Sequence, residues 1–592
     1  MYPYKNWMSS RYLIYRPGIT LMLHSEKTMD QINDNKPPVP VINRRTRIRF
    51  NIIIISLAII FSGLVIRVGH LMLFNKKILQ EPPETAITGE RGLILDRKGE
   101  RLAISLETYS VYARPDEVEN KKETAKVISQ ILELPYNHVL KLLNTKKPFV
   151  WILRQTDVKH SAELENLDIR GLYLQKEYRR YYPFKNLASH IIGFSGIDQK
   201  GLEGIEYRFN DILSPPRTGP GNPSSRNYTR GYSVVLTIDR YIQEVMEEEL
   251  DRAYIQTGAS AVAAIAMNPA TGEILALSSK PDYDLNNFQQ YSEETIRNKA
   301  VTDAFEPGST FKIFIASILL DKGYIKERDK FFCKGSIEVA GSTIRDTGVH
   351  GAIDFREVLE RSCNVGMVES VSRIGNEELY ENLRAFGFGT LTGIDLPGET
   401  RGILRNPKGW SRVSRYTIAI GQELSVTPIQ LISAASAIAN GGVLMQPRIV
   451  KRLEKPDGKT IKEFKPLPIR RVIGEETSKR MLDILMGVLS DRGTGYKARL
   501  DGYRIAGKTG TAQIADVKKG GYIEGKFYAS FIGFVPVPNP KIVVLVTLDK
   551  PVGESYGGQT AAPIFKKIVE RIAPYMNILP SFSEVYILKD EE

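Results

Sequence analysis

Cysteine is scarce in this chain of 592 residues, which contains only Cys333 and Cys363. Two cysteines cannot form the disulfide network that holds small secreted domains together, and the sequence does not decide whether they pair with each other. The six histidines show neither an H-E-x-x-H spacing nor a Cys/His cluster along the chain. The common classes of zinc enzyme are therefore excluded, and we expect no metal ion and no other cofactor.

Long basic runs, internal repeats and low-complexity tracts are also missing. The net charge of +13 suits a polyanionic partner, but nine Lys and Arg residues and only three acids fall in residues 1–50. The remaining excess is spread thinly, and neither a zinc-finger nor an RNA-binding signature is present. Nucleic acid is therefore not an expected partner. The G-x-S-x-G turn of α/β-hydrolases is absent too.

The chain does have the composition of a folded protein, with 42% hydrophobic and 25% charged residues. Its longest apolar run covers residues 52–74, with Arg67 and His70 as the only strongly polar side chains. A helix of this length crosses the ~30 Å hydrocarbon core of a bilayer, and the four arginines in residues 44–49 suit a cytoplasmic flank. We therefore expect a basic cytoplasmic tail over residues 1–51, a transmembrane helix over 52–74, and the rest outside. A buried helix of a soluble protein is the alternative.

Residues 75–232 mix short strand-like alternations with helical stretches and end in a loop dense in proline and glycine. We interpret them as a membrane-proximal pedestal domain. In residues 233–592, strand-like runs lie at both ends of a mainly helical stretch, 297–489. Five runs are predicted to be strands of one sheet: 259–267, 273–279, 503–515, 527–537 and 541–548. The expected fold class is α/β (α+β), with one antiparallel five-stranded sheet flanked by helices and an inserted helical lobe.

Ser309 and Lys312 stand immediately before an intensely apolar helix, in the spacing S-x-x-K. Three residues apart, they share one face of a helix, with the serine in its first turn, where free N–H groups favour negative charge. A lysine in so apolar a site is costly to protonate, so it can accept the serine proton. The alternative is a serine that only caps a core helix.

An S-x-N motif is formed by Ser362, Cys363 and Asn364. It offers a hydroxyl for proton relay and an amide for holding a substrate carbonyl. By itself the motif is weak, because residues 225–227 in the proline-rich loop match it equally. We therefore interpret it only together with the other motifs.

A K-T-G-T stretch, Lys508, Thr509, Gly510 and Thr511, lies inside a predicted strand. A glycine in a strand marks a close approach, and a substrate lying antiparallel along this strand would meet one cation and two hydroxyls suited to its carboxylate. Residues 502–509 also match the phosphate-binding pattern G-x-x-x-x-G-K-[ST]. That loop has to open a helix, whereas a strand is expected here, so nucleotide binding is the weaker interpretation.

The order S-x-x-K, S-x-N, K-T-G is close to the motif set of penicillin-binding proteins and class A β-lactamases. Together with the anchor, it makes the sequence resemble a class B penicillin-binding protein of the septal, cell-division type. One departure from the family is Glu423, where a second glycine is more common after Gly421. Further segments match that family's patterns: residues 91–99, 180–183, 201–206, 236–239, 271–276 and 439–442.

This resemblance implies a serine D,D-transpeptidase that cross-links peptidoglycan stem peptides through an acyl-enzyme and releases D-Ala. Residues 233–592 would be the transpeptidase domain and 75–232 a pedestal of dimerisation type. The oxyanion hole would be formed by the backbone N–H groups of Ser309 and Thr511. The implied roles are Ser309 as nucleophile, Lys312 as its base, Ser362 and Asn364 in proton transfer and substrate placement, Lys508 as a catalytic cation, and Thr509, Gly510 and Thr511 in binding the substrate carboxylate.

The same resemblance implies β-lactams as ligands and, as partners in the plasma membrane, a SEDS-type glycan polymerase and other proteins of the division machinery. The protein would cross the membrane once, with its catalytic domain on the extracytoplasmic side. Three alternatives stay open: an elongation-type transpeptidase, a β-lactam-binding sensor and a β-lactamase. The last is disfavoured because no E-x-x-L-N stretch, which supplies the deacylating glutamate in class A enzymes, is present.

Overall fold

The structure is a computed structural model that describes residues 44–74, 89–215, 230–516 and 520–580. The chain divides into two units, residues 1–81 and residues 82–592. Among the described residues, every strand and every helix but the first lies in the second unit.

In the first unit the described residues form one helix, α1 (Arg44–Phe74), of 31 residues. The helix predicted over residues 52–74 is therefore confirmed as a helix, and its described side chains, up to Arg67, are all exposed. Within the described residues, no helix is both long enough and apolar enough to cross a membrane. The membrane span stays a prediction. The side chains of residues 68–74, and residues 1–43 of the predicted tail, lie outside the described part of the chain.

The described part of the second unit alternates short helices and strands. Its helices are α2 (Lys121–Ile131), α3 (Tyr136–Leu143), α4 (Val158–Glu165), α5 (Ser189–Ile192), α6 (Gly204–Arg208), α7 (Asn210–Leu213), α8 (Arg240–Thr257), α9 (Glu293–Ile296), α10 (Lys299–Thr302), α11 (Lys312–Asp321), α12 (Phe355–Glu360), α13 (Asn364–Val371), α14 (Asn376–Ala385), α15 (Ser414–Ala419), α16 (Pro428–Ala439), α17 (Glu475–Met486) and α18 (Ala561–Tyr575). Its strands are β1 (Ile94–Leu95), β2 (Arg101–Ala113), β3 (Val150–Thr156), β4 (Leu172–Tyr181), β5 (Ser233–Leu236), β6 (Ala261–Met267), β7 (Ile274–Lys280), β8 (Lys330–Cys333), β9 (Ser336–Val339), β10 (Ser342–Arg345), β11 (Gly351–Asp354), β12 (Val443–Met445), β13 (Val450–Glu454), β14 (Thr460–Glu463), β15 (Pro468–Arg471), β16 (Ala506–Ala515), β17 (Tyr522–Val535) and β18 (Ile542–Asp549).

The predicted five-stranded sheet is present, in the order β16-β17-β18-β6-β7, with every pair antiparallel. Strands β6 and β7 are buried at every position, and so is β18 except at its last residue. This burial explains why these strands read as continuous apolar runs instead of alternating ones. Helices α8 and α18 pack against each other and against the sheet. Helices α16 and α17 also pack against the sheet, and α11 packs against both of them.

The stretch 297–489 is less purely helical than predicted. It contains the antiparallel pairs β8–β11, β9–β10 and β12–β15, and β13 and β14 belong to another sheet. These strands have three to five residues each. A strand this short shows too little alternation of apolar and polar residues to be distinguished from a loop in the sequence.

A second, seven-stranded sheet has the order β14-β13-β5-β1-β2-β3, with β4 also paired to β2. Strand β5, which follows the predicted domain boundary at residue 232, lies between β13 and β1, and its pairing with β1 is parallel. The residues on the two sides of that boundary therefore share one sheet. The boundary itself stays a prediction.

Three segments that resembled family patterns in sequence meet in one buried ion cluster. Glu206 accepts from Arg91 Nε and from Arg180 Nε, both at 2.5 Å, and these side chains are at most 3% exposed. Arg91 also donates to the Gln199 carbonyl oxygen at 2.8 Å. Burial by itself raises the pKa of Glu206, but the two guanidinium groups outweigh it and hold this pKa below the ordinary value. The cluster therefore connects the strand region after Arg91, the end of β4 and helix α6.

Replacing Glu206 with Gln removes the carboxylate from between two buried guanidinium groups. We expect a loss of about 3–5 kcal/mol in the free energy of unfolding, as for other buried pairs that lose one partner. Urea unfolding of the purified protein measures it. Glu119→Gln is the matched control, because its ion pair with Arg170 is more than three-quarters exposed on both sides and should leave the urea midpoint in place. An unchanged urea midpoint for Glu206→Gln would show that this ion cluster does not stabilise the fold.

Candidate active site

Ser309 lies in a short 3-10 turn, Gly308–Phe311, that leads directly into α11. The sequence predicts Ser309 in the first turn of an α-helix, and the structure corrects this, because Ser309 lies in the 3-10 turn that precedes the helix. A 3-10 turn has three residues per turn, so Ser309 and Lys312 still lie on the same side. Residues 312–320 are all buried, because α11 is apolar on every face and runs through the core. Ser309 itself is half-buried, at the end of this core helix.

Two glycines let the 3-10 turn Gly308–Phe311, called the serine turn below, fit between strand β16 and a neighbouring loop. Gly308 has a φ of +53°, and a Cβ on it would lie 2.8 Å from the Thr511 carbonyl oxygen. A Cβ on Gly421, whose φ is +81°, would lie 2.0 Å from the Gly308 carbonyl oxygen. The turn is therefore held between β16 and the loop at Gly421, with no room for a side chain at either glycine.

The Lys312 amine is fully buried and is held by the S-x-N segment. Its Nζ donates to the Ser362 carbonyl oxygen at 2.5 Å, to Asn364 Oδ1 at 2.6 Å and, at 3.4 Å, to Ser362 Oγ. Among the described side chains, no hydrogen bond joins Lys312 to Ser309 and no carboxylate pairs with Lys312. Burial lowers the pKa of Lys312 to about 8, against a smaller opposing effect of Asp346. Part of the population therefore carries a neutral amine near neutral pH.

Lys508 is also fully buried, on β16. Its Nζ donates to Ser362 Oγ at 2.9 Å and to the Thr509 carbonyl oxygen at 3.1 Å. Burial lowers the pKa of Lys508 well below its ordinary value, and the nearby Lys312 lowers it further. The Ser362 hydroxyl thus connects two lysines whose proton affinity is reduced, which is an arrangement suited to proton transfer.

Strand β16 is an edge of the five-stranded sheet and packs directly on the serine turn. At Gly510 a Cβ would lie 2.4 Å from Ser530 Oγ and 2.8 Å from Thr310 Cγ2. The close approach predicted at this glycine therefore comes from the neighbouring strand β17 and from the serine turn. Because Lys508 is followed by strand up to Ala515, the residues after it do not open a helix, and the nucleotide-binding interpretation is wrong.

The two threonine hydroxyls of the K-T-G-T stretch are fixed by neighbouring loops. Thr509 Oγ1 lies 2.7 Å from Thr494 Oγ1, and Thr511 Oγ1 accepts from the Gly557 N–H at 3.0 Å. Both hydroxyls border the same cleft as Ser309. Two fixed hydroxyls along a strand edge form a suitable binding site for a carboxylate.

The cleft beside Ser309 has a volume of about 460 Å³ and brings the three motifs together. Ser309, Ser362, Asn364, Thr509 and Thr511 line it, whereas Lys312 and Lys508 lie buried behind it and Gly510 packs on the turn. The competing S-x-N match at residues 225–227 lies outside the described residues. Sequence reasoning missed further lining residues, which carry no motif of their own: Thr347, Arg361, Gln422, Thr494, Tyr496, Tyr556 and Gln559.

The departure at Glu423 has a local explanation. Glu423 has a φ of +61°, in the left-handed region that favours glycine. Its carboxylate compensates by accepting from Ser414 Oγ, Thr417 Oγ1 and the Arg405 guanidinium, each at 2.7 Å. The loop therefore keeps, at Glu423, the left-handed backbone conformation that a glycine would adopt there.

Two family models match the chain in the regions that carry these features. The penicillin binding protein transpeptidase domain matches residues 262–570, and the penicillin-binding protein dimerisation domain matches residues 86–215. The first match covers more than half of the 592 residues. The chain belongs to the class B penicillin-binding protein family.

Individual relatives of this class B penicillin-binding protein extend along most of its length. Stage V sporulation protein D of Bacillus subtilis (strain 168) is 39% identical over 518 residues, which cover 84% of this chain and 80% of that protein. Peptidoglycan D,D-transpeptidase FtsI of Escherichia coli (strain K12) is 30% identical over 513 residues, covering 83% and 85%. The crystal structure of penicillin binding protein 3 from Mycobacterium tuberculosis, complexed with aztreonam, gives a TM-score of 0.68 at 29% identity and covers 83% of this chain and 97% of that one. The resemblance to the septal type is confirmed.

Proposed function

We propose that this class B penicillin-binding protein is a peptidoglycan D,D-transpeptidase in which Ser309 is the acylated nucleophile and Lys312 its general base. The observation that carries the proposal is the buried Lys312 amine, which has a lowered pKa and lies on the same side of the turn as Ser309. A base must be partly neutral at working pH, and burial achieves that here. The hydroxyl of Ser309 borders the open cleft where a substrate carbonyl can reach it.

In the acylation step, Lys312 takes the proton of Ser309 as its Oγ attacks the penultimate D-Ala carbonyl. The backbone N–H groups of Ser309 and Thr511 stabilise the oxyanion. The C–N bond then breaks, and the leaving D-Ala amine takes a proton through Ser362, whose hydroxyl is within reach of both lysines. In the second step an amine from a neighbouring stem peptide attacks the ester carbonyl and gives up a proton to Lys312. The C–O bond to Ser309 then breaks as the new amide forms, and Lys312 returns the proton to the Ser309 oxygen.

The donor peptide would bind as an additional strand along the free edge of β16. Its terminal carboxylate would meet the Thr509 and Thr511 hydroxyls with Lys508 behind them, and Asn364 would hold a backbone carbonyl. Among the described residues that line the cleft, none is an aspartate or glutamate. A β-lactamase needs a base to activate the deacylating water, so this lining favours a transpeptidase with a long-lived β-lactam ester.

Two substitutions test the catalytic pair. Ser309→Ala removes the nucleophile, and Lys312→Arg keeps a cation that does not deprotonate. We expect both to fold and to lose several orders of magnitude in the rate of acylation by a fluorescent penicillin, since members of one catalytic unit are removed. Ser372→Ala and Lys322→Arg, both at exposed positions, are the matched controls and should label normally. Normal labelling of Ser309→Ala would show that Ser309 is not the nucleophile. Release of hydrolysed drug within seconds by the wild type would favour the β-lactamase interpretation.

The pH dependence of acylation tests the role of Lys312 separately. Its pKa is lowered to about 8, so the fraction of neutral base rises as the pH increases through 8. The acylation rate should therefore rise with pH and level off above this value. Rates of labelling by fluorescent penicillin, with melting temperatures recorded at each pH to check folding, provide the measurement. A rate that is flat or falls across this interval would exclude Lys312 as the base.

We further propose that the protein acts with a SEDS-type glycan polymerase in septal wall synthesis, as its family type and 30% identity to FtsI support. A second candidate is wall synthesis during sporulation, because the 39% identical relative is named for stage V of sporulation. Depletion during vegetative growth, followed by transfer of the depleted cells to sporulation conditions, distinguishes them. Filaments with blocked constrictions support the septal role, whereas normal division with failed spores supports the second. Rounded, swollen cells that continue to divide would assign the protein to elongation instead.

We also propose that α1 anchors the protein in the plasma membrane, with the amino terminus inside and the catalytic domain outside. The apolar run over residues 52–74, the arginines before it and the exposed apolar side chains of α1 support this orientation. Protease added to intact spheroplasts should digest the part of the chain after residue 75, while a cytoplasmic marker protein stays intact. A protected carboxyl-terminal domain would contradict the orientation.

A further inference from the structure

A second cavity continues from the cleft beside Ser309, and it is called the arginine pocket below. It has a volume of about 530 Å³, and its described lining residues include no acid: Thr347, His350, Arg361, Arg492, Gly493 and Thr494. Four of these residues, Thr347, Arg361, Gly493 and Thr494, also line the cleft. The two cavities therefore form one groove, and a bound peptide can extend from one into the other.

The arginine pocket adjoins the part of the cleft that would hold the leaving D-Ala. Thr494 Oγ1 lies 2.7 Å from Thr509 Oγ1, and the Thr509 hydroxyl is one of the two proposed above to bind the terminal carboxylate of the donor peptide. In the transfer step, the amine of the second stem peptide takes the position of the D-Ala amine. That second peptide, the acceptor stem, must therefore approach from the side that D-Ala vacates, where the arginine pocket lies.

The guanidinium groups of this pocket are available to a ligand. Arg492 is exposed and has no hydrogen-bond or ion-pair partner among the described residues. The acid next to it in sequence, Asp491, pairs with Arg499 at 2.7 Å. Arg361 donates from Nη2 to Glu357 Oε1 at 2.9 Å, and within the described part of the chain its Nε and Nη1 have no partner. The pocket thus offers two cations whose donors are not used up by the protein itself.

The two loops that carry these arginines are joined through their backbones. One loop follows α12 and the other lies between α17 and β16. The Thr494 N–H of the second loop donates to the Glu360 carbonyl oxygen of the first at 3.4 Å. A Cβ on Gly493 would lie 2.1 Å from the Val488 carbonyl oxygen, so the second loop is also packed closely on its own helical end. Because the fold already holds both loops, a ligand does not have to order them when it binds.

The chemistry of the pocket fits a carboxylate. A guanidinium group binds a carboxylate through two parallel N–H···O bonds, and these charge-assisted bonds are among the strong ones in proteins. We propose that the arginine pocket is the acceptor subsite of the transpeptidase, and that Arg361 and Arg492 bind a carboxylate of the acceptor stem. This inference rests on the proposed function, because it requires that the Ser309 ester is resolved by an amine.

The geometry of the transfer step indicates which carboxylate is bound. A carboxylate on the carbon that bears the acceptor amine would occupy the place of the D-Ala carboxylate, at the hydroxyls of Thr509 and Thr511. The arginine pocket lies beyond these hydroxyls, on the far side of Thr494 from Thr509. The arginines are therefore assigned to the carboxyl terminus of the acceptor stem.

A substitution at Arg492 tests the pocket separately from acylation. Arg492 is the residue to change, because Arg361 also pairs with Glu357 and adjoins Ser362. The donor is a thioester of an acyl-D-Ala: Ser309 attacks its carbonyl, the C–S bond breaks, and the thiol leaves with the serine proton. Released thiol measures acylation, and mass spectrometry of the products measures how much acyl group reaches a synthetic acceptor peptide and how much reaches water.

With the full-length protein and a low acceptor concentration, we expect Arg492→Gln to lower the ratio of transfer to hydrolysis about tenfold, as for a lost hydrogen bond to a charged group. The acceptor KM should rise by the same factor, and kcat for transfer should recover at saturating acceptor. Arg492→Lys should regain part of the loss, since it keeps the charge. Arg328→Gln, at an exposed position between α11 and β8 that lines neither cavity, is the matched control and should behave as the wild type.

Amidation of the acceptor identifies the carboxylate. The probe is a peptide that has one carboxylate beside its reacting amine and another at its carboxyl terminus. With the terminus amidated, the wild type should lose about tenfold in acceptor KM, and Arg492→Gln should lose nothing further, because the partner is already gone. With the other carboxylate amidated, the difference between the two proteins should persist. A difference that disappears only in this second case would overturn the assignment to the terminus.

The failure of this inference differs from the failure of the proposed function. An unchanged acceptor KM for Arg492→Gln, or an equal rise with the free and the amidated terminus, would overturn the acceptor subsite while acylation proceeds. If the wild type released no thiol and took up no penicillin, the proposed function itself would be wrong. Titration calorimetry of the acceptor peptide with Ser309→Ala protein would then test the pocket alone. Equal affinity with and without Arg492→Gln in that protein would overturn carboxylate binding at this site.

Discussion

The burial of the Lys312 amine without a carboxylate partner is the constraint on which the site depends. Because the pKa of Lys312 is about 8 in the folded protein against 10.5 for a free lysine, carrying its proton in the fold costs roughly 3 kcal/mol at neutral pH. The folded pKa is the lower one, so this cost is present in full below pH 8 and disappears as the pH rises toward 10.5. The fold offsets it by apolar packing along α11, all of whose residues from 312 to 320 are buried.

The same buried position requires neighbours that accept hydrogen bonds but carry no charge. The S-x-N segment supplies them as a backbone carbonyl, a hydroxyl and an amide oxygen. A carboxylate in their place would raise the pKa of Lys312 and make it unsuited to the proposed role of a base. The two lysines also share Ser362, and the nearby charge of Lys312 adds to the lowering of the Lys508 pKa that burial causes. The proposed catalytic role of Lys312 thus depends on its having no ion pair with a carboxylate among the described residues.

The cluster of Arg91, Arg180 and Glu206 shows the opposite solution to burying charge. There each guanidinium has a carboxylate oxygen at 2.5 Å, and the three side chains are almost wholly inaccessible. A cluster that is paired in this way fixes geometry but leaves no group free to exchange protons. The protein therefore joins its segments through paired charges, whereas the amines proposed to carry the chemistry have no carboxylate partner among the described residues.

The sequence by itself determined the outline of this protein. The apolar runs of β6, β7, β18 and the buried second half of β17 predicted the sheet, because strand segments buried on both faces are apolar. The three short motifs predicted the eight residues proposed for the site. Short strands between residues 330 and 471 were missed, since three to five residues carry little periodicity. Only the tertiary structure decided how the amine of Lys312 is held, why Gly510 must be glycine and which residues complete the cleft. Only the tertiary structure brings Cys333, Asp346, His350 and Cys363 together. Contacts between such distant segments depend on packing and produce no regular spacing in the sequence.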